Sequence, residues 1–398
     1  MSVGQPATQV KPRMPVQPNH PIQLQTTMPA TGAFQSFFMG GFECSTQRLR
    51  GGGRLDMIAQ TGHDRRAAED YRLLAAHGMR TVRDGVRWHL VERRPHRYEL
   101  DSFMPMLRAA IATNTQVIWD LLHYGWPSTI DIWRPEFIER FVDFVRIVAC
   151  AIRDESDQVP YYTPVNEISF FTWGGGDVGY LNPFARGRGD ELKRILVKAT
   201  ISAIDTIREV DPRARFVAAE PLIHIFPHSH AEEDVQLAAQ HNAAQYEAVD
   251  LLTGRKEPEL GGAPRYLDIL GVNYYHKNQW VDRGPTIFFG DGLYRPLGEL
   301  LVEAAGRYGR PVFIAETGTE GGGRAPWLHY VCDEVRDAQA AGARIEGICI
   351  YPILSHRGWD DRRHCHNGMF SGIDCKSERV THARLAEELK RQRSMFDG

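Results

Sequence analysis

Eight short runs of β-branched and aromatic residues, separated by stretches whose apolar residues recur at helical spacing, constrain the fold of this chain most. The runs are 37–45, 81–88, 116–124, 161–167, 215–223, 267–275, 311–318 and 346–353. Helical patterns lie between and after them, among them 66–78, 134–154, 190–211, 295–309 and 382–396. In the second of these Phe137, Phe141, Phe144, Val145 and Val148 mark one apolar face. Strands alternating with helices predict a parallel sheet with helical crossovers, and eight such units predict a closed (β/α)8 barrel. An open doubly wound sheet would want a glycine-rich phosphate turn directly after its first strand. The Gly51-Gly52-Gly53 run comes too late and is followed by polar loop sequence.

Composition narrows the class. With 398 residues and 42% hydrophobic residues, the chain can bury a large core without disulfide staples. Lys plus Arg number 47 against 50 Asp plus Glu, which removes the basic footprint of a nucleic-acid binder. No apolar run approaches the roughly 18–20 residues of a membrane span. Six cysteines without a Cys-x-x-Cys pair fit reduced thiols in the cytoplasm. Residues 1–33 hold six prolines, five glutamines and two charges, Lys11 and Arg13, and predict a disordered arm. Residues 34–398 are then a single barrel domain.

In a barrel of this kind the reacting groups sit at the C-terminal strand ends. Two predicted strands are uncharged until a carboxylate appears, Val312-Phe313-Ile314-Ala315-Glu316 and Tyr161-Tyr162-Thr163-Pro164-Val165-Asn166-Glu167. An acid at the end of a buried strand is costly unless paired or used. Two of them facing one mouth, with amides and aromatics nearby, are what glycoside hydrolysis needs: one carboxyl protonates the leaving oxygen while the other attacks or activates water. His364-Cys365-His366 with Asp360 and Asp361, and the group His224, His228 and His230, could be read as metal ligands. The first lies in a charged loop and strand 1 has no histidine pair, so no metal is expected. Cys44 reads as a buried, inert thiol.

Seven segments, spread from about residue 37 to 375, resemble the motifs of glycoside hydrolase family 1, the β-glucosidase family of clan A. They are Gly41-Phe42-Glu43-Cys44-Ser45-Thr46-Gln47; His63-Asp64 with Asp70, Gly78, Arg83 and Trp88; Leu122-His123-Tyr124-Gly125-Trp126-Pro127; Thr163-Pro164-Val165-Asn166-Glu167; Gly271-Val272-Asn273-Tyr274-Tyr275; Ile314-Ala315-Glu316-Thr317-Gly318; and the stretch from Tyr351 to Trp359. The resemblance implies a retaining β-glycosidase without a cofactor, acting on a carbohydrate, with Glu316 as nucleophile and Glu167 as acid/base. It implies that Arg83 and Tyr275 hold Glu316, and that Gln47, His123, Asn166, Asn273 and Trp359 bind the substrate.

This sequence departs from the family pattern at Ile168, Thr317, Tyr124 and Gly125. It also has Gly358 where a Glu that grips the outer hydroxyls of glucose usually precedes the strand-8 Trp. The last departure, beside the basic residues His356, Arg357, Arg362, Arg363, His364 and His366, predicts a sugar other than plain glucose, one that is modified, branched or acidic. A catalytically weak sugar-binding or transglycosidase barrel of polysaccharide metabolism is the alternative.

Overall fold

A computed structural model of the chain describes residues 32–361, 363–372 and 378–396. The expected arm over 1–33 lies, apart from its last two residues, outside the described residues, as do Arg362 and Cys375. Eight parallel strands close into a barrel in sequential order. They are β1 (Phe38–Gly41), β2 (Thr81–Gly85), β3 (Gln116–Asp120), β4 (Tyr161–Thr163), β5 (Arg215–Pro221), β6 (Ile269–Asn273), β7 (Val312–Thr317) and β8 (Ile345–Ile350). Met39 pairs with Cys349 to close the ring between first and last strands. Every residue of β6 and β7 is buried, as expected of strands covered on one side by helices and on the other by the barrel interior.

Each strand is followed by at least one helix, and those named here are α1 (His63–Ala76), α2 (Met104–Ala112), α3 (Glu136–Glu155), α4 (Gly189–Val210), α5 (Glu247–Leu252), α6 (Leu297–Tyr308), α7 (Arg324–Ala340) and α8 (Ala383–Phe396). In α3 the five apolar residues singled out by spacing are all buried. Its first turn carries Glu136 and Glu139 and its last Arg153, charges that favour the helix dipole. Trp88, placed by its sequence at the end of strand 2, instead opens a short helix, Trp88–Val91. Its indole is fully buried against Phe137, Phe141 and Phe144 and donates to Glu92. A side accretion not expected from the sequence pairs His224–Phe226 with Gln279–Val281.

The sequence runs outlast the observed ladders at the C-terminal ends of β1 to β4. There the chain leaves regular pairing but keeps single backbone bonds, such as Phe42 N to Arg83 O at 2.9 Å and Leu121 N to Thr163 O at 3.0 Å. The mouth of the barrel is built from these departing segments. On β7 the register slips between Ile314, opposite Val272, and Glu316, opposite Asn273, so Ala315 is an extra residue. Such a bulge bends the strand and re-aims the next side chain. At the seam, Gly41 has no alternative: an added Cβ would lie 2.1 Å from the Tyr351 ring.

Among the described residues no helix is long and apolar enough to cross a membrane. The five described cysteines form no disulfide.

Candidate active site

Glu316 emerges just after the bulge on β7 and is 5% exposed. Its Oε1 accepts from Arg83 Nη1 at 3.0 Å and its Oε2 from the Tyr275 hydroxyl at 2.8 Å. Arg83, fully buried on β2, also donates from Nη1 to the carbonyl of the bulged Ala315 at 3.0 Å. Its Nη2 donates to Asp120 Oδ2 at 2.7 Å and to Asn166 Oδ1 at 2.9 Å. One planar guanidinium therefore ties β2, β3, β7 and the segment after β4 into one frame. Asp120 was not among the expected site residues. Its signal was nonetheless of the same kind, a strand ending in an acid.

Glu167 stands on the other side of that frame. Its backbone is left-handed, with φ 47° and ψ 60°, and it caps the short helix Ile168–Thr172. A non-glycine residue in this region costs of order 1–3 kcal/mol, which its surroundings must offset. Its amide donates to Ala219 O at 2.9 Å. Asn273 Nδ2 donates to its Oε1 at 2.9 Å, and the Tyr124 hydroxyl donates to its Oε2. Since Asn273 is also the ladder partner of Glu316, a single residue touches one carboxylate and neighbours the other.

Asn166 completes the link, with Nδ2 at 3.2 Å from both His123 Nε2 and the Tyr124 hydroxyl oxygen. His123 Nδ1 lies 3.0 Å from Asp120 Oδ2 and 3.1 Å from Cys44 Sγ. Trp359 meets the Tyr124 ring edge-to-face, with centroids 5.7 Å apart. Gln47 is buried, and its Oε1 has no hydrogen-bond partner. The residue before it, Thr46, bonds through its amide to the His123 carbonyl at 3.4 Å.

The electrostatics follow from burial and neighbours. Burial pushes the Glu316 carboxyl up, Arg83 opposes this, and the charge of Glu167 adds to the rise. Burial also raises Glu167, against the hydrogen bonds from Tyr124 and Asn273 and with help from Glu220. Glu220, at the end of β5, accepts from the amides of Ile168 and Ser169 at 2.8 and 2.9 Å. Burial lifts its carboxyl to about 7. It fixes the helix that begins directly after Glu167. Burial pulls the His123 imidazole down, but the Asp120 hydrogen bond and the charge of Glu43 outweigh it and raise the group.

Among the described residues neither histidine group read as a possible metal site gathers ligands; the rings of His364 and His366 lie tilted against each other with centroids 4.1 Å apart. Among the described residues only Cys44, Asp120 and His123 could approach one ion. That set does not suit a cation, because Asp120 Oδ2 already takes Arg83 and His123. The thiol is pushed well up by burial and by the Asp120 charge, so it offers no thiolate. Both thiol and carboxylate sit at the same imidazole nitrogen, so no nucleophilic relay through the ring forms.

Two residues of the basic loop already have partners. Arg363 makes a two-pronged ion pair with Glu320, both bonds 2.7 Å. His356 Nε2 is 3.0 Å from Asn367 Nδ2. The space at Gly358 is occupied too: a Cβ there would lie 2.3 Å from Asp361 Oδ1.

No family model matches the chain, and no curated protein matches it in sequence. Solved structures do. A family 1 β-glucosidase from Thermotoga maritima in complex with isofagomine lactam superposes with a TM-score of 0.72 at 14% identity, covering 91% of this chain and 99% of its own. A rice β-glucosidase in a covalent complex with glucose gives 0.73 at 14%, covering 89% and 97%. A β-glycosidase from Pyrococcus horikoshii gives 0.70 at 17%, covering 84% and 85%. Bulged strand, closed parallel ring and strand-end carboxylates thus sit on a barrel with the fold of the family 1 β-glucosidases.

Proposed function

We propose that the chain is a retaining β-glycosidase acting on an O-glycoside. The observation that carries this reading is the unlike surroundings of two buried carboxyls at one barrel mouth. Glu316 is gripped by a guanidinium and a phenol, Glu167 by an amide and a phenol. A cation beside Glu316 favours its anion, whereas Glu167 has only neutral donors and a second acid, Glu220, nearby. The proton that the pair shares therefore resides on Glu167. Glu316 attacks the anomeric carbon while Glu167 delivers its proton to the glycosidic oxygen, which leaves with the bonding pair. Glu167 then takes a proton from water as the water opens the glycosyl ester.

Arg83 and Tyr275 hold the nucleophile in place through both steps. Asn166 reaches a sugar 2-hydroxyl by exchanging its bond to His123 or to Tyr124, since both its hydrogens are engaged. Gln47, His123, Asn273 and Trp359 frame the ring. The absence of disulfides among the described cysteines supports a cytoplasmic setting.

A 2-deoxy-2-fluoro aryl β-glycoside tests the reading. It should label Glu316 covalently and stoichiometrically, and peptide mapping should find the label there. Sugar binding without label or turnover would instead favour a sugar-binding barrel.

A further inference from the structure

The mouth holds a third carboxylate that the double displacement does not use. Glu43 follows β1, is 9% exposed, and forms no ion pair among the described residues. Its Oε1 accepts from the amide of Ser45 at 3.0 Å and from the Ser45 hydroxyl. Its other oxygen has no hydrogen-bond partner among the described residues. The side chain is pinned, with one lone-pair face left over.

Glu43 stands at the barrel mouth, next to Cys44, whose Sγ lies 3.1 Å from His123 Nδ1, and two residues beyond Gly41, which abuts the Tyr351 ring. The charge of Glu43 bears on His123, Tyr124, Tyr275, Glu316 and Tyr351, which come from the ends of β3, β6, β7 and β8. The guanidinium nearby is already committed, Arg83 to Glu316 and Asp120.

Of the unpartnered buried polar atoms in the mouth residues, Arg83 Nε is a donor and the others can accept. Gln47 Oε1 and Asn273 Oδ1 are orphaned acceptors in residues 2% and 0% exposed. With Asn273 Nδ2 donating to Glu167, its Oδ1 is the atom left over. The Tyr351 hydroxyl, also orphaned and buried, can accept as well. An orphaned buried acceptor costs free energy until a ligand supplies a donor. A hydroxyl brings one hydrogen and lone pairs of its own. An ammonium brings three donors, no acceptor and a charge to set against the unpaired Glu43.

We propose that Glu43 is a specificity determinant that selects a glycoside whose sugar carries a free, protonated amine. This inference rests on the glycosidase reading and names its substrate class. It also reverses the sign of the substituent that the basic loop suggested, since Arg363 of that loop is taken by Glu320 and an acid stands at the barrel mouth instead.

The test is a panel of sugars differing at one group: glucose, its derivatives with an amine at C2, C3 or C6, and N-acetylglucosamine. Binding is measured by calorimetry on the Glu316→Gln chain, which needs no turnover, and kcat/KM on the wild type with the matching 4-nitrophenyl β-glycosides. One amino sugar should be preferred over glucose by about tenfold to a hundredfold, the range of a charge-assisted contact. Acetylation should abolish that preference. Glu43→Gln, checked for an unchanged circular-dichroism spectrum, should lower the amine-to-glucose ratio at least tenfold. Turnover or binding of glucose with no amine preference at any position overturns the inference and leaves the glycosidase standing. Failure of every sugar to bind or react overturns both.

Discussion

The phenolic hydroxyl of Tyr124 donates its hydrogen to Oε2 of Glu167. Tyr124 itself has a left-handed backbone, φ 62°, directly after His123. This bond stabilises the carboxylate and so works against burial, which raises Glu167.

Tyr124→Phe should therefore raise the proton affinity of Glu167. A general acid is active while protonated, so the alkaline limb of the kcat/KM profile should move to higher pH. A neutral hydrogen bond is worth about 0.5–1.5 kcal/mol, which corresponds to a shift of up to about one pH unit. The profile on an unactivated glycoside reads it directly; a limb that stays put or falls contradicts the assignment.

Glu220 acts in the opposite sense. Its charge raises Glu167, so Glu220→Gln should lower the alkaline limb. The same variant tests a stability effect. The Glu220 carboxyl is raised in the folded chain to about 7, against an ordinary value of 4.5. Its favourable contribution is complete below about 4.5 and is lost as pH rises through about 7, amounting to about 3 kcal/mol. Urea midpoints between pH 4.5 and 7 should fall more steeply in the wild type than in Glu220→Gln.

A second buried cluster predicts a loss at higher pH. His63 lies 2.8 Å from both Asp70 and Asp84, and Arg379 pairs with Asp70 at 2.9 Å. Burial pulls the imidazole down, but Asp84 and the bonds to both acids outweigh it and lift it from 6.5 to about 9. That stabilisation is complete below about 6.5 and lost on titration through about 9. Unfolding midpoints should drop across that window, and His63→Gln should remove the drop while lowering the pH 6 midpoint.

Arg83 should not tolerate substitution. Arg83→Met leaves Asp120 buried without its guanidinium, and breaking a buried pair in this way typically costs about 3–5 kcal/mol. Arg83→Lys keeps the charge but cannot reach Glu316, Asp120, Asn166 and the Ala315 carbonyl together. It should fold with a smaller loss of thermal midpoint and still lose most of kcat. A lysine variant of normal activity would contradict the framing role.

The two roles of the acids separate on activated substrates. Glu316→Ala should be inactive on every glycoside. Glu167→Ala should retain the first step with a good leaving group and gain rate from azide, which needs no general base. Equal losses without azide rescue would count against the assignment.

Much of this was legible in local sequence. Glu167 and Glu316 stood out because each ends an uncharged strand, and α3 because its apolar residues keep one face. Asp120 carries the same strand-end signal and becomes meaningful only once Arg83 is beside it. What local sequence could not show depends on distant partners. The cation of Arg363 is taken by Glu320, the room at Gly358 by Asp361, and the amides after Glu167 by Glu220. Trp88 illustrates the same limit: it continues a strand-like run, yet the aromatic face of α3 draws it into the core.

The meeting of Gly41 and Tyr351 lies where the first strand closes on the last. Tyr351, whose ring lies parallel to that of His123 at the mouth, is therefore packed on the joint between β1 and β8. If the proposed glycosidase reading holds, a collapsed chain whose β1 has not yet met β8 lacks the Tyr351 side of its sugar pocket. Recovery of sugar affinity therefore cannot run ahead of ring closure. A bound-sugar signal followed during refolding becomes a clock for the last joint rather than for collapse.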